Sequence, residues 1–243
     1  MPDLEPPFKR ILLKLSGEAL AGKRAYGIEP SVLQRIASEI SAIHGLGVQI
    51  AIVIGGGNIF RGLQSDAYGM GNVSGDHMGM LATIINSIAL GSALENAGIN
   101  TRVMTAIDMD KIAEPYIIEK ALQHLTKNRI VIIGGGTGNP FFTTDTAATL
   151  RALELDAAVL LKATKVDGVF DSDPELNPDA KPFSKITYNE IIKKRLKVMD
   201  LTAVSLAMDG GIPIIVFNLS KKGNLEKAVM GQKTGTLVKG GKS

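Results

Sequence analysis

Three apolar runs in this chain end directly in clusters of glycine or small polar residues: LLKLSG at 12–17, IVIGGGN at 52–58 and VIIGGGTGN at 131–139. Short stretches of Val, Ile and Leu without polar alternation read as strands covered on both faces, which belong to parallel sheets layered between helices. A glycine cluster at the carboxyl end of such a strand lets backbone N–H groups approach an anion, and the dipole of a following helix favours the same negative charge. One such cluster alone is first of all a turn device. Three opening on one sheet edge describe a crevice suited to phosphate.

The rest of the chain keeps the alternation. Strands are expected at 10–15, 49–54, 101–105, 129–133, 157–161 and 213–217, and helices at 30–44, 76–97, 115–125, 145–154 and 201–208. The class is therefore α/β, with a mostly parallel sheet covered on both sides. Pro30 after Glu29 suits a helix start, and Gly45 and Gly98 suit C-terminal caps. The 243 residues, 45% hydrophobic, suffice for one domain, and no linker or internal repeat divides them. The longest loop-like stretch, 166–185, is rich in Asp, Pro and Asn, and a loop of that length is functional or mobile.

Several functions are disfavoured. There is no cysteine, and His44, His77 and His124 lack metal-ligand spacing. The net charge of +3 is modest, and KKRLK (193–197) with Lys221 and Lys222 reads as solvated surface, so nucleic acid is an unlikely partner on this pattern. The N-terminal segment has acidic residues and prolines ahead of a short apolar run, unlike a signal peptide, and no run approaches the roughly 20 apolar residues of a membrane helix. A cytoplasmic protein is expected. Met78, Met80, Met199 and Met208 read as core filling. The terminal GKS is not a Walker A loop, because glycine stands at 241 where that pattern counted from Gly235 requires lysine. No cluster fits a dinucleotide fingerprint.

Each glycine cluster has polar company. Lys14 sits in an apolar strand end, where an ammonium either meets an anion or snorkels outward. Arg61, in GGGNIFRG, either grips phosphate bidentately or lies on the surface. In TGNPFFTTD two exposed phenylalanines precede Thr143, Thr144 and Asp145; Asp145 either caps a helix or orients a cation beside phosphate. The segment LKATKVDGVFDSDP (161–174), with Lys162, Thr164, Lys165, Asp167, Phe170 and Asp173, either flanks a base and its phosphates or forms a hairpin turning at Asp167-Gly168.

With GGGN, GDHMGMLAT (75–83), GTGNPFFTTD (136–145) and LKATKVDGV (161–169) following a lysine-bearing first strand, the chain resembles bacterial uridylate (UMP) kinases of the amino-acid-kinase superfamily. The resemblance runs from Lys9 to Val238. It implies a three-layer α/β/α sandwich, one amino-acid-kinase domain over 1–243, with the acceptor in the N-terminal part and ATP in the C-terminal part. The implied reaction moves the ATP γ-phosphoryl to UMP, giving UDP and ADP for pyrimidine nucleotide synthesis. It implies a catalytic set of Lys14, Arg61, Asp145 and Asp200. ATP phosphates are implied at Lys14, Leu15, Ser16, Gly17, Gly57 and Arg61, and the ATP base and sugar at Thr164, Phe170 and Asp173. UMP is implied against Gly56, Asp76, Thr137, Gly138, Asn139, Pro140, Phe141, Phe142, Thr143 and Thr144. Mg²⁺ would travel with ATP, without a direct protein ligand. The family likeness also implies a homohexamer, GTP as activator and UTP as inhibitor. Gly22, Lys23, Arg24, Ala25, Tyr26 and Gly27, with Arg102 and Arg129, match positions tied to the GTP response, whereas Gly91, Ser92 and Glu95 stand where some members carry Arg, Asp and His. A carboxylate or carbamate kinase and a non-catalytic nucleotide binder are the competing readings.

Overall fold

The computed structural model describes residues 5–60, 71–174 and 176–240. Its strands are β1 (Arg10–Leu15), β2 (Gln49–Ile54), β3 (Thr101–Thr105), β4 (Glu114–Pro115), β5 (Ile130–Gly134), β6 (Val159–Thr164), β7 (Lys185–Thr187), β8 (Ile214–Asn218) and β9 (Thr236–Lys239). They form one nine-stranded sheet in the order β4-β3-β5-β2-β1-β6-β8-β9-β7. Every neighbouring pair is parallel except β8 and β9. The helices are α1 (Gly17–Ala21), α2 (Pro30–His44), α3 (Asn72–Asn96), α4 (Ile118–Thr126), α5 (Thr144–Glu154), α6 (Tyr188–Lys194), α7 (Leu201–Asp209) and α8 (Asn224–Val229).

Strand period sorts the side chains into two cores. Ile11, Leu13 and Leu15 of β1 pack with Ile36, Ile40 and Ile43 of α2 on one face, while Leu12 packs with Ala147, Ala148 and Ala152 of α5 on the other. Each fully buried Leu or Ile contributes about 1.5–3 kcal/mol relative to exposure. Helices thus cover both faces, giving the three-layer α/β/α sandwich.

From β1 the chain winds to β2 on one side; after β5 it crosses through α5 to β6 on the other side of β1. The carboxyl ends of β1 and β6 therefore form a topological switch point, where open α/β sheets leave a crevice.

Strands β1, β2 and β3 and helix α2 fall where their apolar periods put them. The elements not foreseen, α1, α6, α8, β4, β7 and β9, have at most 7 residues each, too few for a period to stand out. Helix α4 starts at Ile118 rather than 115 because Glu114 and Pro115 pair with Met104 and Thr105. Gly45 is the C-cap of α2, followed by Gly47 at a left-handed φ of 80°, and Gly98, at φ 82°, follows the Ala97 cap of α3. Asp167 lacks the positive φ of a type I′ hairpin, and a bridge between Phe170 and Pro182 closes a wider loop. Met80 and Met104 are buried, whereas Met78 is 37% exposed.

Helix α3, with 25 residues, is long and apolar enough by composition to cross a membrane, contrary to the expectation from the lack of an unbroken apolar run. Its Met80, Thr83, Asn86, Ser87, Leu90 and Leu94 are buried against the sheet and loops, as in a core helix.

Candidate active site

Lys14 and Lys162 are register partners on neighbouring parallel strands β1 and β6. They share the sheet face of Leu12 and Leu160, onto which α5 packs. Thr143 caps α5 by accepting from the N–H groups of Asp145 and Thr146, and this presents Asp145 in the first turn to both ammonium groups. Lys162 Nζ donates to Asp145 Oδ2 at 2.5 Å, and Lys14 Nζ lies 2.8 Å from Oδ1 as an ion pair. Both lysines are only 8% exposed.

Burial pushes the Asp145 carboxyl up, but Lys14 and Lys162 outweigh it and hold its pKa below the usual carboxylate value. Burial pushes the Lys162 ammonium down, Asp145 raises it and Lys14 lowers it again, leaving it below the usual lysine value. Two ammonium groups against one carboxylate leave a net positive centre at the switch point, suited to an incoming phosphoryl group. Lys162 was not singled out as a site residue from the sequence. The signal was there: Leu-Leu-Lys occurs at 12–14 and again at 160–162, each at the end of an apolar strand.

Because Asp145 titrates lower in the folded than in the unfolded chain, its stabilising contribution is complete above the ordinary carboxylate pKa of about 4 and is lost as pH falls through the lower folded value. The stability gap between the wild type and Asp145→Asn is therefore expected to shrink below about pH 4, in denaturant titrations at neutral and acidic pH. A gap independent of pH would contradict the ion cluster.

Asp200 does not touch either lysine. It caps α7 by accepting from the Ala203 N–H at 3.0 Å, and accepts from Thr143 Oγ1 at 2.6 Å and Thr146 Oγ1 at 2.9 Å. It thereby fastens the start of α5, and so Asp145, to α7.

Around this centre lie the glycine loops. Ser16 stands at the N-cap of α1, with Gly17 next. A Cβ on Gly17 would come within 2.5 Å of the Gly55 carbonyl oxygen, so the first and second loops touch only because no side chain intervenes. The third loop is hung on α3: Thr83 Oγ1 accepts from the Gly135 N–H at 2.8 Å and donates to the Met80 carbonyl at 2.6 Å.

Gly56, Gly57, Asp76, Phe142 and Thr144 meet in a cavity of about 140 Å³, joined by Phe60, Gly75, Gly79, Met80, Thr83 and Gly136. Thr137, Asn139 and Phe141 shape the adjoining turn. Thr137 Oγ1 donates to the Asn139 carbonyl at 3.1 Å, and the Phe141 N–H donates to Asp76 Oδ2 at 2.7 Å. Phe141 has φ 71°, a costly conformation for an aromatic residue, held by that bond while its ring is 73% exposed. Gly138 and Pro140 belong to the same turn, outside the cavity lining.

Thr164, Phe170 and Asp173 line a larger cavity of about 450 Å³ with Val169, Lys194 and Lys197. Thr164 also donates to the Val166 carbonyl at 2.7 Å. Arg61 lies outside the described residues. The residues tied to GTP by resemblance fall into two groups: the 22–27 strap joins the carboxyl end of β2 through Asn58, whereas Arg102 and Arg129 stand at the starts of β3 and β5. One chain does not bring them together. Among the described residues, no group of three or more His, Asp or Glu side chains is gathered as a metal cage.

The family model described as Amino acid kinase family matches residues 9–218. The chain belongs to the amino acid kinase family, and it is a kinase. Similar solved structures include the UMP kinase from Bacillus anthracis, 43% identical over 96% of this chain and 96% of that one, with a TM-score of 0.93. The UMP kinase from Ureaplasma parvum is 36% identical over 95% of this chain and 98% of that one, with a TM-score of 0.90. The uridylate kinase from Archaeoglobus fulgidus is 27% identical over 94% and 99% of the two chains, with a TM-score of 0.74.

Proposed function

We propose that this kinase transfers the γ-phosphoryl group of ATP to UMP, forming UDP and ADP. The observation that carries the reading is Asp145 held between Lys14 and Lys162 at the switch point. The likeness to two UMP kinases over nearly the whole chain supports UMP as acceptor. UMP occupies the smaller cavity, in the N-terminal part of one domain, with Asp76 accepting from a ribose hydroxyl. ATP lies across the first glycine loop, its base and sugar in the larger cavity of the C-terminal part.

A phosphate monoester is largely dianionic at neutral pH, so one of its oxygens attacks the γ-phosphorus without a general base. The bond from the γ-phosphorus to the bridging oxygen breaks, and ADP leaves with that oxygen. Charge spreads over the three equatorial oxygens, where Lys14 and Lys162 stabilise it; Arg61 is assigned to the same task. Asp145 keeps both ammonium groups charged and aimed, and Asp200 fixes the helix that bears it. Mg²⁺ enters as part of the substrate, on the ATP phosphates.

The apolar side chains Met78, Leu81, Ile85 and Ile88, exposed at helical spacing along α3, support a homo-oligomer, and we assign a cytoplasmic homohexamer. At Gly91 a Cβ would lie 2.8 Å from Val103 Cγ2, so an arginine there would force the Val103 side chain to move. GTP activation, if retained, rests on the 22–27 strap with Arg102 and Arg129 of neighbouring subunits, and UTP inhibits as a relative of the product.

The test is ADP release with ATP, Mg²⁺ and each of UMP, CMP, dUMP, GMP and AMP, with and without GTP and UTP. Turnover is expected with UMP, well above the other acceptors. Turnover of acetylglutamate, aspartate or carbamate without turnover of UMP would overturn the assignment.

A further inference from the structure

Beneath the second glycine loop, Asn58 and Asn86 form a reciprocal amide pair, 3% and 0% exposed. Asn86 Nδ2 donates to the Gly55 carbonyl at 2.7 Å and to Asn58 Oδ1 at 2.7 Å. Asn58 Nδ2 donates to Asn86 Oδ1 at 3.1 Å and to the Gly27 carbonyl at 2.9 Å. Every amide hydrogen of the pair is used, and flipping either group would set oxygen against oxygen, so each has one orientation. The Gly27 N–H returns a bond to the Asn58 carbonyl at 2.7 Å, tying the exposed strap 22–27 to the loop in both directions. On the other side the loop is pressed against Gly17, where a Cβ would lie 2.6 Å from Asn58 Oδ1.

Neither asparagine lines the cavities, yet Gly56 and Gly57, between Gly55 and Asn58, do. We propose that Asn86 is a positioning residue for phosphoryl transfer, holding the second glycine loop and the 22–27 strap in one register with α3 through Gly55 and Asn58. This rests on the kinase reading above. A fully satisfied buried network is rigid, and a partly satisfied one is costly. Without the Asn86 amide, the Gly55 carbonyl and Asn58 Oδ1 lose their donor, and the loop shifts to find another. A misplacement of about 1 Å at a reacting centre costs on the order of 100-fold in rate.

The experiment compares Asn86→Ala, Asn58→Ala, the double variant and Ser87→Ala. Ser87 is equally buried on α3, but its hydroxyl donates within the helix, to the Thr83 carbonyl at 2.8 Å. Each asparagine variant is expected to lose kcat on the order of 100-fold, with a smaller rise in KM for UMP, whose cavity Gly56 and Gly57 line. The double variant should lose little more than either single one, because the pair acts as a unit. Ser87→Ala should lower Tm and keep kcat. Amide hydrogen exchange should accelerate together in 22–29 and 52–60 in Asn86→Ala and not in Ser87→Ala. If Asn86→Ala does not fold, Asn58→Ala carries the same readouts. Normal kcat in the asparagine variants despite a lower Tm, additive losses, or faster exchange in only one of the two loops would overturn the proposal. Wild-type transfer to UMP is measured alongside: its absence refutes UMP as the acceptor, while the exchange pattern still decides whether Asn86 holds the two loops in register.

Discussion

Replacing Asp145 by asparagine is expected to lower kcat about a thousandfold, the upper range for removing one preorganised electrostatic partner. Asparagine keeps the shape and removes the charge. Lys14 and Lys162 would then face each other in register, buried, without a counter-ion. One of them would swing away or lose its proton, and burial already pushes Lys162 in that direction. Asp145 does not line the cavity of Gly56, Asp76 and Phe142 to which UMP is assigned above. UMP affinity should therefore change by less than roughly threefold, about 0.6 kcal/mol. Steady-state kinetics with calorimetric UMP binding separate the two effects, and unchanged turnover would remove Asp145 from the mechanism.

Lys162→Met is expected to lower kcat by about 100-fold or more, because it deletes a cation aimed at the transferring group while filling nearly the same volume. Lys14 and Asp145 would remain as a neutral pair, with no net charge left for the phosphoryl oxygens. Lys162→Arg keeps the charge but replaces a compact ammonium by a planar fork, so only partial recovery is expected. A rise in KM for ATP at constant kcat would mean that Lys162 binds ground state and transition state alike, contradicting its assigned role.

Much of this geometry was legible in the sequence because the apolar strands announce themselves. In LLKLSG, IVIGGGN and VIIGGGTGN the apolar run defines the strand and the glycines mark its carboxyl end, so the crevice follows from the parallel arrangement. The burial of Lys14 against an acid follows likewise from an ammonium in an apolar strand. Lys162 enters the sequence reading only as one residue of the segment 161–174, beyond a strand expected to end at 161, whereas β6 runs on to Thr164 and puts Lys162 in register with Lys14. Asp200 was placed among the acidic site residues only by resemblance; its grip on Thr143 and Thr146 depends on how α7 docks on α5, which no local period encodes. The Asn58–Asn86 pair was invisible for the same reason: two asparagines 28 residues apart meet only once α3 packs beneath the loop.

The most direct test of the account follows the phosphoryl group itself, using ATP labelled at the γ-phosphate with unlabelled UMP and Mg²⁺, and separating the products. The expected result is label in the β-phosphate of UDP, formed in equal amount with ADP and lost in Asp145→Asn. Label released only as inorganic phosphate, or carried to no nucleotide while UMP remains bound, would contradict a UMP-phosphorylating kinase.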